Sequence, residues 1–104
     1  MIDKIKAVNQ GFARKFPQGN TPFQIMTRVL EEGGELAQQV NLFEDNGVKR
    51  QKHGPPDRAK LAQEVKGILL AVFQIVDYYA IESELESSLD YTLGNLRRDG
   101  YLEE

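Results

Sequence analysis

Apolar residues recur at three- and four-residue intervals in four separate stretches of the chain, and that spacing predicts four amphipathic helices. In the first, Ile2, Ile5, Val8, Phe12 and Phe16 share one face of a helix over residues 2–16, with Gly11 weakening its middle. Pro17-Gln-Gly-Asn20 reads as a turn. Thr21 is a good N-cap, and Pro22 stands where proline suits a helix start. From Pro22 to Phe43, the residues Ile25, Met26, Val29, Leu30, Leu36, Ala37 and Val40 fall in one arc of about 140° at about 100° per residue. Asp57 is the N-cap of a third helix running to about Ala80. Its Leu61, Val65, Ile68, Leu69, Val72, Ile75, Val76 and Tyr79 form a broad apolar arc, and residues 67–76 are uncharged, so this helix is expected to be central. Ser83-Glu-Leu-Glu86 reads as a capping box opening a fourth helix to about Arg98, with Leu85, Leu89, Leu93 and Leu96 as its inner face. Arg97 and Arg98 suit the C-terminal end of its dipole, and Asp99-Gly100 ends it.

No period-two alternation or hairpin signal competes with this pattern. The expectation is one all-α domain over residues 1–104, with the long connection 44–56 between the second and third helices. With 40% hydrophobic and 28% charged residues, the composition is that of a globular domain. The chain has no cysteine, which excludes disulfides and thiolate metal sites. It has no apolar run of membrane-spanning length, and Met1-Ile-Asp-Lys-Ile-Lys6 is no signal peptide, so a cytoplasmic location without membrane contact is expected. A net charge of −3 argues against a nucleic-acid polymer as partner.

The candidate chemistry sits in Glu31-Glu-Gly-Gly-Glu35. Glu32 lies at the edge of the apolar arc and Glu35 a little further out, on neighbouring turns. Glu64 holds the equivalent edge of the third helix. If the two helices pack antiparallel, Glu32, Glu35 and Glu64 meet across a groove as oxygen ligands for a hard cation such as Mg²⁺, with Glu31 as a neighbouring or alternative ligand. The plainer reading is a solvated glutamate flank. Gly33-Gly34 weakens the helix, which suggests the close approach of another helix or a ligand, or a packing requirement. Asp77 lies roughly 20 Å from Glu64 along the third helix, too far to share an ion with it. Lys49, Arg50, Lys52 and His53 form the one basic cluster, either a solvated loop or a phosphate clamp. No phosphate-binding glycine loop follows a strand, and His53, the single histidine, has no partner pattern for a nucleophilic triad or a zinc site.

Glu32-Gly-Gly-Glu35-Leu-Ala37 resembles the Glu-x-x-Glu motif of the MazG-like nucleoside triphosphate pyrophosphohydrolases. The run from Phe16-Pro17 through Leu61-Ala-Gln-Glu64 is similar to a short, single-domain branch of that family. The resemblance implies a four-to-five-helix bundle completed as a homodimer or a dimer of dimers. It also implies hydrolysis of a (deoxy)nucleoside triphosphate to the monophosphate and pyrophosphate with Mg²⁺, or Mn²⁺ in its place. Glu32, Glu35 and Glu64 would hold the ion, and Glu31 or Glu35 would orient the attacking water. Lys49, Arg50, Lys52 and His53 would hold the substrate, with Phe43, Tyr78 and Tyr79 as candidate pocket aromatics. The chain departs from the family's second motif, Glu-x-x-Asp, at Gly67, which stands where an aspartate ligand is expected. The alternative is therefore a catalytically degenerate helical dimer that binds nucleotide or a protein partner.

Overall fold

A computed structural model describes residues 1–44 and 55–103. The described residues are helical apart from turns and ends: α1 (Ile2–Lys15), α2 (Pro22–Phe43), α3 (Arg58–Tyr79) and α4 (Glu82–Arg98). None of these helices is long and apolar enough to cross a membrane.

Local chemistry sets the boundaries. At the start of α2 the Thr21 hydroxyl accepts from the Gln24 backbone N–H, and the Gln24 side chain accepts from the Thr21 N–H. The two form a reciprocal capping box with Pro22 at the first helical position. The Asp57 carboxylate accepts from the N–H groups of Ala59 and Lys60 and starts α3 as expected. At the other end of α3, Ala80 takes a left-handed conformation with φ 52°, and the Ile81 N–H donates to the Val76 carbonyl. This reversal leaves so short a link that α4 begins at Glu82, with Ile81 at the N-cap and no side-chain cap. Ser83 is thus already inside the helix and the expected capping box is not formed. Glu82 and Glu84 in the first turn suit the dipole instead.

α2 and α3 pack antiparallel along most of their length: Arg28 meets Gln74, Glu32 meets Gly67, and Gly33 meets Ile68. α1 is fastened to the same pair. Among the described residues the buried apolar side chains are Ile5, Ile25, Leu42, Leu70, Ala71 and Val76, and Asn9 and Gln39 are buried with them.

The contact face of α2 differs from the one its hydrophobicity predicts. Its covered positions are Pro22, Ile25, Arg28, Val29, Glu32, Gly33, Leu36, Gln39, Asn41, Leu42 and Phe43. Met26, Leu30 and Val40, inside the predicted arc, are exposed, Leu30 at 73%. In projection the helix is turned by about 70° from the centre of its apolar arc. Glu32 consequently lies near the middle of the contact stripe and not at its edge.

The reason is a polar relay that fixes the rotation. Arg28 Nη2 donates to Gln74 Oε1 at 3.0 Å, Gln74 Nε2 donates to Asn9 Oδ1 at 3.1 Å, and Asn9 Nδ2 donates to the Leu70 carbonyl at 3.1 Å. A guanidinium only donates and a carbonyl only accepts, so both amides between them have one permitted orientation. Arg28 also donates to the Gly19 carbonyl and to Asn20 Oδ1, which latches the α1–α2 turn onto α2.

α4 stands apart from this core. No residue of it is buried, and Leu85, Leu89, Leu93 and Leu96, expected as an inner face, are all exposed. Its described tie to the rest is a surface ion pair, Lys6 Nζ to Glu82 at 2.9 Å. The radius of gyration is 17.3 Å, against about 13 Å for a compact chain of this size. The four-helix bundle is therefore not closed within one chain: three helices pack and the fourth extends.

Replacing Asn9 by alanine leaves the Gln74 amide without its acceptor. Such a loss costs about 1–3 kcal/mol of stability. Urea denaturation of Asn9→Ala should show that loss, while Asn41→Ala, outside the relay, should unfold at nearly the wild-type midpoint.

Candidate metal centre

Three of the glutamates singled out from the sequence come together. Glu32 and Glu35 on α2 and Glu64 on α3 each offer a carboxylate oxygen, and these oxygens lie within 4.8 Å of one another. Glu32 and Glu64 are half-covered and Glu35 is exposed. The antiparallel pairing produces this. One turn separates Glu32 from Glu35, and Glu64 sits one turn before Gly67, the residue that faces Glu32.

Gly67 is part of the site. A β-carbon placed on it would fall 2.8 Å from the Glu32 carboxyl carbon and closer still to Oε2. The Glu32 carboxylate thus lies over the bare backbone of α3, in the space a side chain at 67 would occupy. Gly33 and Gly34 have no such role. A β-carbon on Gly33 would make an ordinary 3.8 Å contact with Ile68 Cδ1, and one on Gly34 would meet nothing within 4 Å. The close approach expected at the glycine pair occurs across the groove, at Gly67.

Crowding makes the cluster resist full ionisation. Burial, first, and then the charges of Glu35 and Glu31 and a hydrogen bond with Glu35 push the Glu32 pKa above its ordinary value. Burial raises Glu64 as well, followed by the hydrogen bond and charge of Glu35 and the charge of Glu32, with Lys60 acting weakly in the opposite direction. Among the described residues no Lys or Arg forms an ion pair with any of the three carboxylates; neither Arg58 nor Lys60 fills the groove.

The donor set fits a hard divalent cation. Octahedral Mg²⁺ holds oxygens at about 2.0–2.1 Å, which places adjacent ligands about 3 Å and opposite ligands about 4 Å apart. Carboxylates already within 4.8 Å reach that geometry by side-chain rotation. An ion would also relieve their mutual repulsion. Glu31 is exposed and is not one of the converging three; it acts on Glu32 through its charge.

Beside the cluster lies a cavity of about 440 Å³, running from Glu32 and Gly67 to Asp77 and Tyr78. Of the three candidate pocket aromatics Tyr78 lines this cavity and Phe43 and Tyr79 do not; the other two aromatics in its wall are Phe12 and Phe16 of α1. Hydrophobic spacing assigned those two to a buried face, yet both stay largely exposed. Asn9, Arg28 and Gln74 in the cavity wall were missed as well. The available signal was a polar residue within an otherwise apolar stripe: Asn9 beside Ile5, Val8 and Phe12, and Arg28 beside Ile25 and Val29. Gln39, 5% exposed and one turn beyond Glu35, keeps its Oε1 without a hydrogen-bond partner. Lys49, Arg50, Lys52 and His53 lie outside the described residues.

A scan of the chain against protein-family models found no match, and neither did searches of curated proteins and of solved structures. Geometry alone defines the class: an all-helical protein with a three-carboxylate cluster on an antiparallel helix pair.

Two expectations follow. Raised carboxylate pKa values mean that the folded state binds more protons than the unfolded one, so stability falls as pH rises from the ordinary value of 4.5 through the raised values. In metal-free buffer Glu64→Gln should melt higher than wild type at pH 7.5, and the difference should vanish toward pH 4; a lower melting point at pH 7.5 would contradict the crowding. Second, Gly67→Ala should drive the Glu32 carboxylate from its place. Its Mg²⁺ affinity, measured by calorimetry, should fall about tenfold or more, as for other perturbed ligand surroundings, while the fold is retained because alanine favours the helix.

Proposed function

We propose that the protein is a metal-dependent nucleoside triphosphate pyrophosphohydrolase, releasing a (deoxy)nucleoside monophosphate and pyrophosphate. The observation that carries this reading is the convergence of Glu32, Glu35 and Glu64, without a basic partner among the described residues, at one end of a cavity large enough for a ring. Glu-x-x-Glu on one helix and Glu64 on the next are also the residues of the MazG-like resemblance.

In the proposed reaction water attacks the α-phosphorus. The bond from that phosphorus to the oxygen bridging the α- and β-phosphates breaks, and pyrophosphate leaves. Bound Mg²⁺, or Mn²⁺ in its place, would supply charge neutralisation of the triphosphate and acidification of water. Glu32, Glu35 and Glu64 would hold the ion. Glu35, the most exposed of the three, or Glu31, outside the cluster, would orient water and take its proton. Lys49, Arg50, Lys52 and His53 carry the chemistry to hold the outer phosphates through charge-assisted hydrogen bonds.

The surface supports assembly as a homodimer or dimer of dimers. Phe23, Met26, Leu30 and Val40 on α2 and the leucine stripe of α4 leave more apolar surface uncovered than single scattered residues would. A second copy would complete the bundle that one chain leaves open.

Gly67 favours a second reading, a non-catalytic nucleotide or protein binder, since it removes one carboxylate from the groove. Pyrophosphate release separates the two. With Mg²⁺ or Mn²⁺ and a panel of ribo- and deoxynucleoside triphosphates, wild type should turn over at least one. Glu35→Gln should lower kcat about 100-fold or more. A silent wild type that becomes active as Gly67→Asp would establish the degenerate site, and silence in every variant would leave the binder.

A further inference from the structure

We infer that the protein pairs with a second copy of itself by exchanging α4: the leucine stripe of each copy's α4 lies in the groove between α1 and α3 of the other. The inference rests on the assembly part of the reading above and not on its chemistry.

The groove is a cavity of about 730 Å³, and only Leu70 belongs both to it and to the cavity beside the glutamates. Its wall is apolar: Ile5 and Val8 of α1, and Leu61, Val65 and Leu69, one turn apart along a single stripe of α3. Val8 and Val65 are still exposed there. Lys4, Arg58 and Lys66 also line it, and no acidic residue does among the described residues. All three cations are exposed and make no ion pair among the described residues. An apolar trough with a positive rim takes an amphipathic helix that is leucine-rich on one face and acidic beside it.

α4 has that pattern. Leu85, Leu89, Leu93 and Leu96 fall within about 80° of arc and are all exposed. Every charged residue from Glu82 to Asp90 is acidic, and in projection Glu86 and Asp90 run along one flank of the leucines. Lys6 holds Glu82, whereas Glu84, Glu86 and Asp90 make no ion pair among the described residues. Charge also decides whose α4 fits. Folded back at Ala80 onto its own α3, α4 would face positions about equally far from the reversal. Arg97 and Arg98 would then come level with about residues 62 and 63, beside Lys66, and Glu86 and Asp90 would lie past the groove, opposite about residues 70 to 74. Closure within one chain therefore sets cation against cation. A second copy is free of that register, and its α4 can lay the acidic half against Lys4, Arg58 and Lys66. Two-fold symmetry makes the contact twice.

The test is charge exchange between copies, read by sedimentation equilibrium and native mass spectrometry in EDTA without nucleotide. Wild type should be a dimer. Glu86→Lys with Asp90→Lys sets cations against the cationic groove, and Lys4→Glu with Lys66→Glu sets anions against the acidic helix. Each pair should raise the dimer dissociation constant about tenfold or more. All four positions are exposed, and circular dichroism checks that the helices remain. Mixed in equal amounts, the two proteins should form a heterodimer within about threefold of the wild-type affinity, because both contacts are again of opposite sign. A wild type that stays monomeric would overturn the exchange. So would a dimer that either double variant leaves intact, or two weakened variants that mixing does not restore. If the exchange is found but no triphosphate is turned over, the exchange stands and the hydrolase reading falls; turnover by a monomeric wild type would do the opposite.

Discussion

The rotational setting of α2 against α3 is the constraint on which the rest of the structure depends. A helix with an apolar arc as wide as that of α2 has several acceptable ways to lie on a neighbour. Here it lies with Arg28, Glu32 and Gln39 in the contact stripe and with Met26, Leu30 and Val40 outside it. Burying polar groups costs free energy unless each finds a partner, so this setting requires specific partners. The Arg28 Nη atoms find them in Gly19, Asn20 and Gln74, and the chain of donors continues through Asn9 to the Leu70 carbonyl, while Arg28 Nε and Gln39 Oε1 stay buried without a hydrogen-bond partner. That chain joins α1, α2, α3 and the first turn. Glu32 finds room, over the bare backbone of Gly67.

The same rotation creates the two parts of the candidate site. It brings Glu32 and Glu35 over Glu64, where burial and like charge hold two of the three carboxylates above their ordinary pKa. A protein whose fold gathers carboxylates without a described cationic partner stores repulsion that a divalent ion would release. Beside that cluster Phe12 and Phe16 of α1 wall a cavity and stay exposed. The relay residues that fix the helices, Asn9, Arg28 and Gln74, also line that cavity. The relay and the cavity wall therefore share residues, and a change at Gln74 would affect both.

The uncovered surface is the other side of the same choice. Turning α2 by about 70° from the centre of its apolar arc leaves Phe23, Met26 and Leu30 to solvent, and the one-residue reversal at Ala80 sends α4 away from the packed helices. Among the described residues both faces are left without cover from the rest of the chain, which is why a chain of this size has so small a core.

Much of this could be read from the chain. Helical period, Thr21 with Pro22, and Asp57 located α2 and α3 to the residue or nearly so, because capping and periodicity are local properties of a few neighbouring side chains. The convergence of Glu32, Glu35 and Glu64 followed from spacing and an antiparallel pairing. Ser83 misled because its capping signal competed with the reversal at Ala80, which the sequence does not mark with a glycine. Leu85 to Leu96 misled because an apolar stripe states that a face wants cover and not which molecule supplies it. By itself the sequence determined where the helices are and which carboxylates share a face. Only the tertiary structure decided which side of α2 is inside, that Gly67 makes room for Glu32, and that Gln74 and Asp77 line one cavity. Those facts depend on pairings between atoms 35 to 65 positions apart in the chain, as Glu32 to Gly67 and Asn9 to Gln74 are, and no local pattern encodes them.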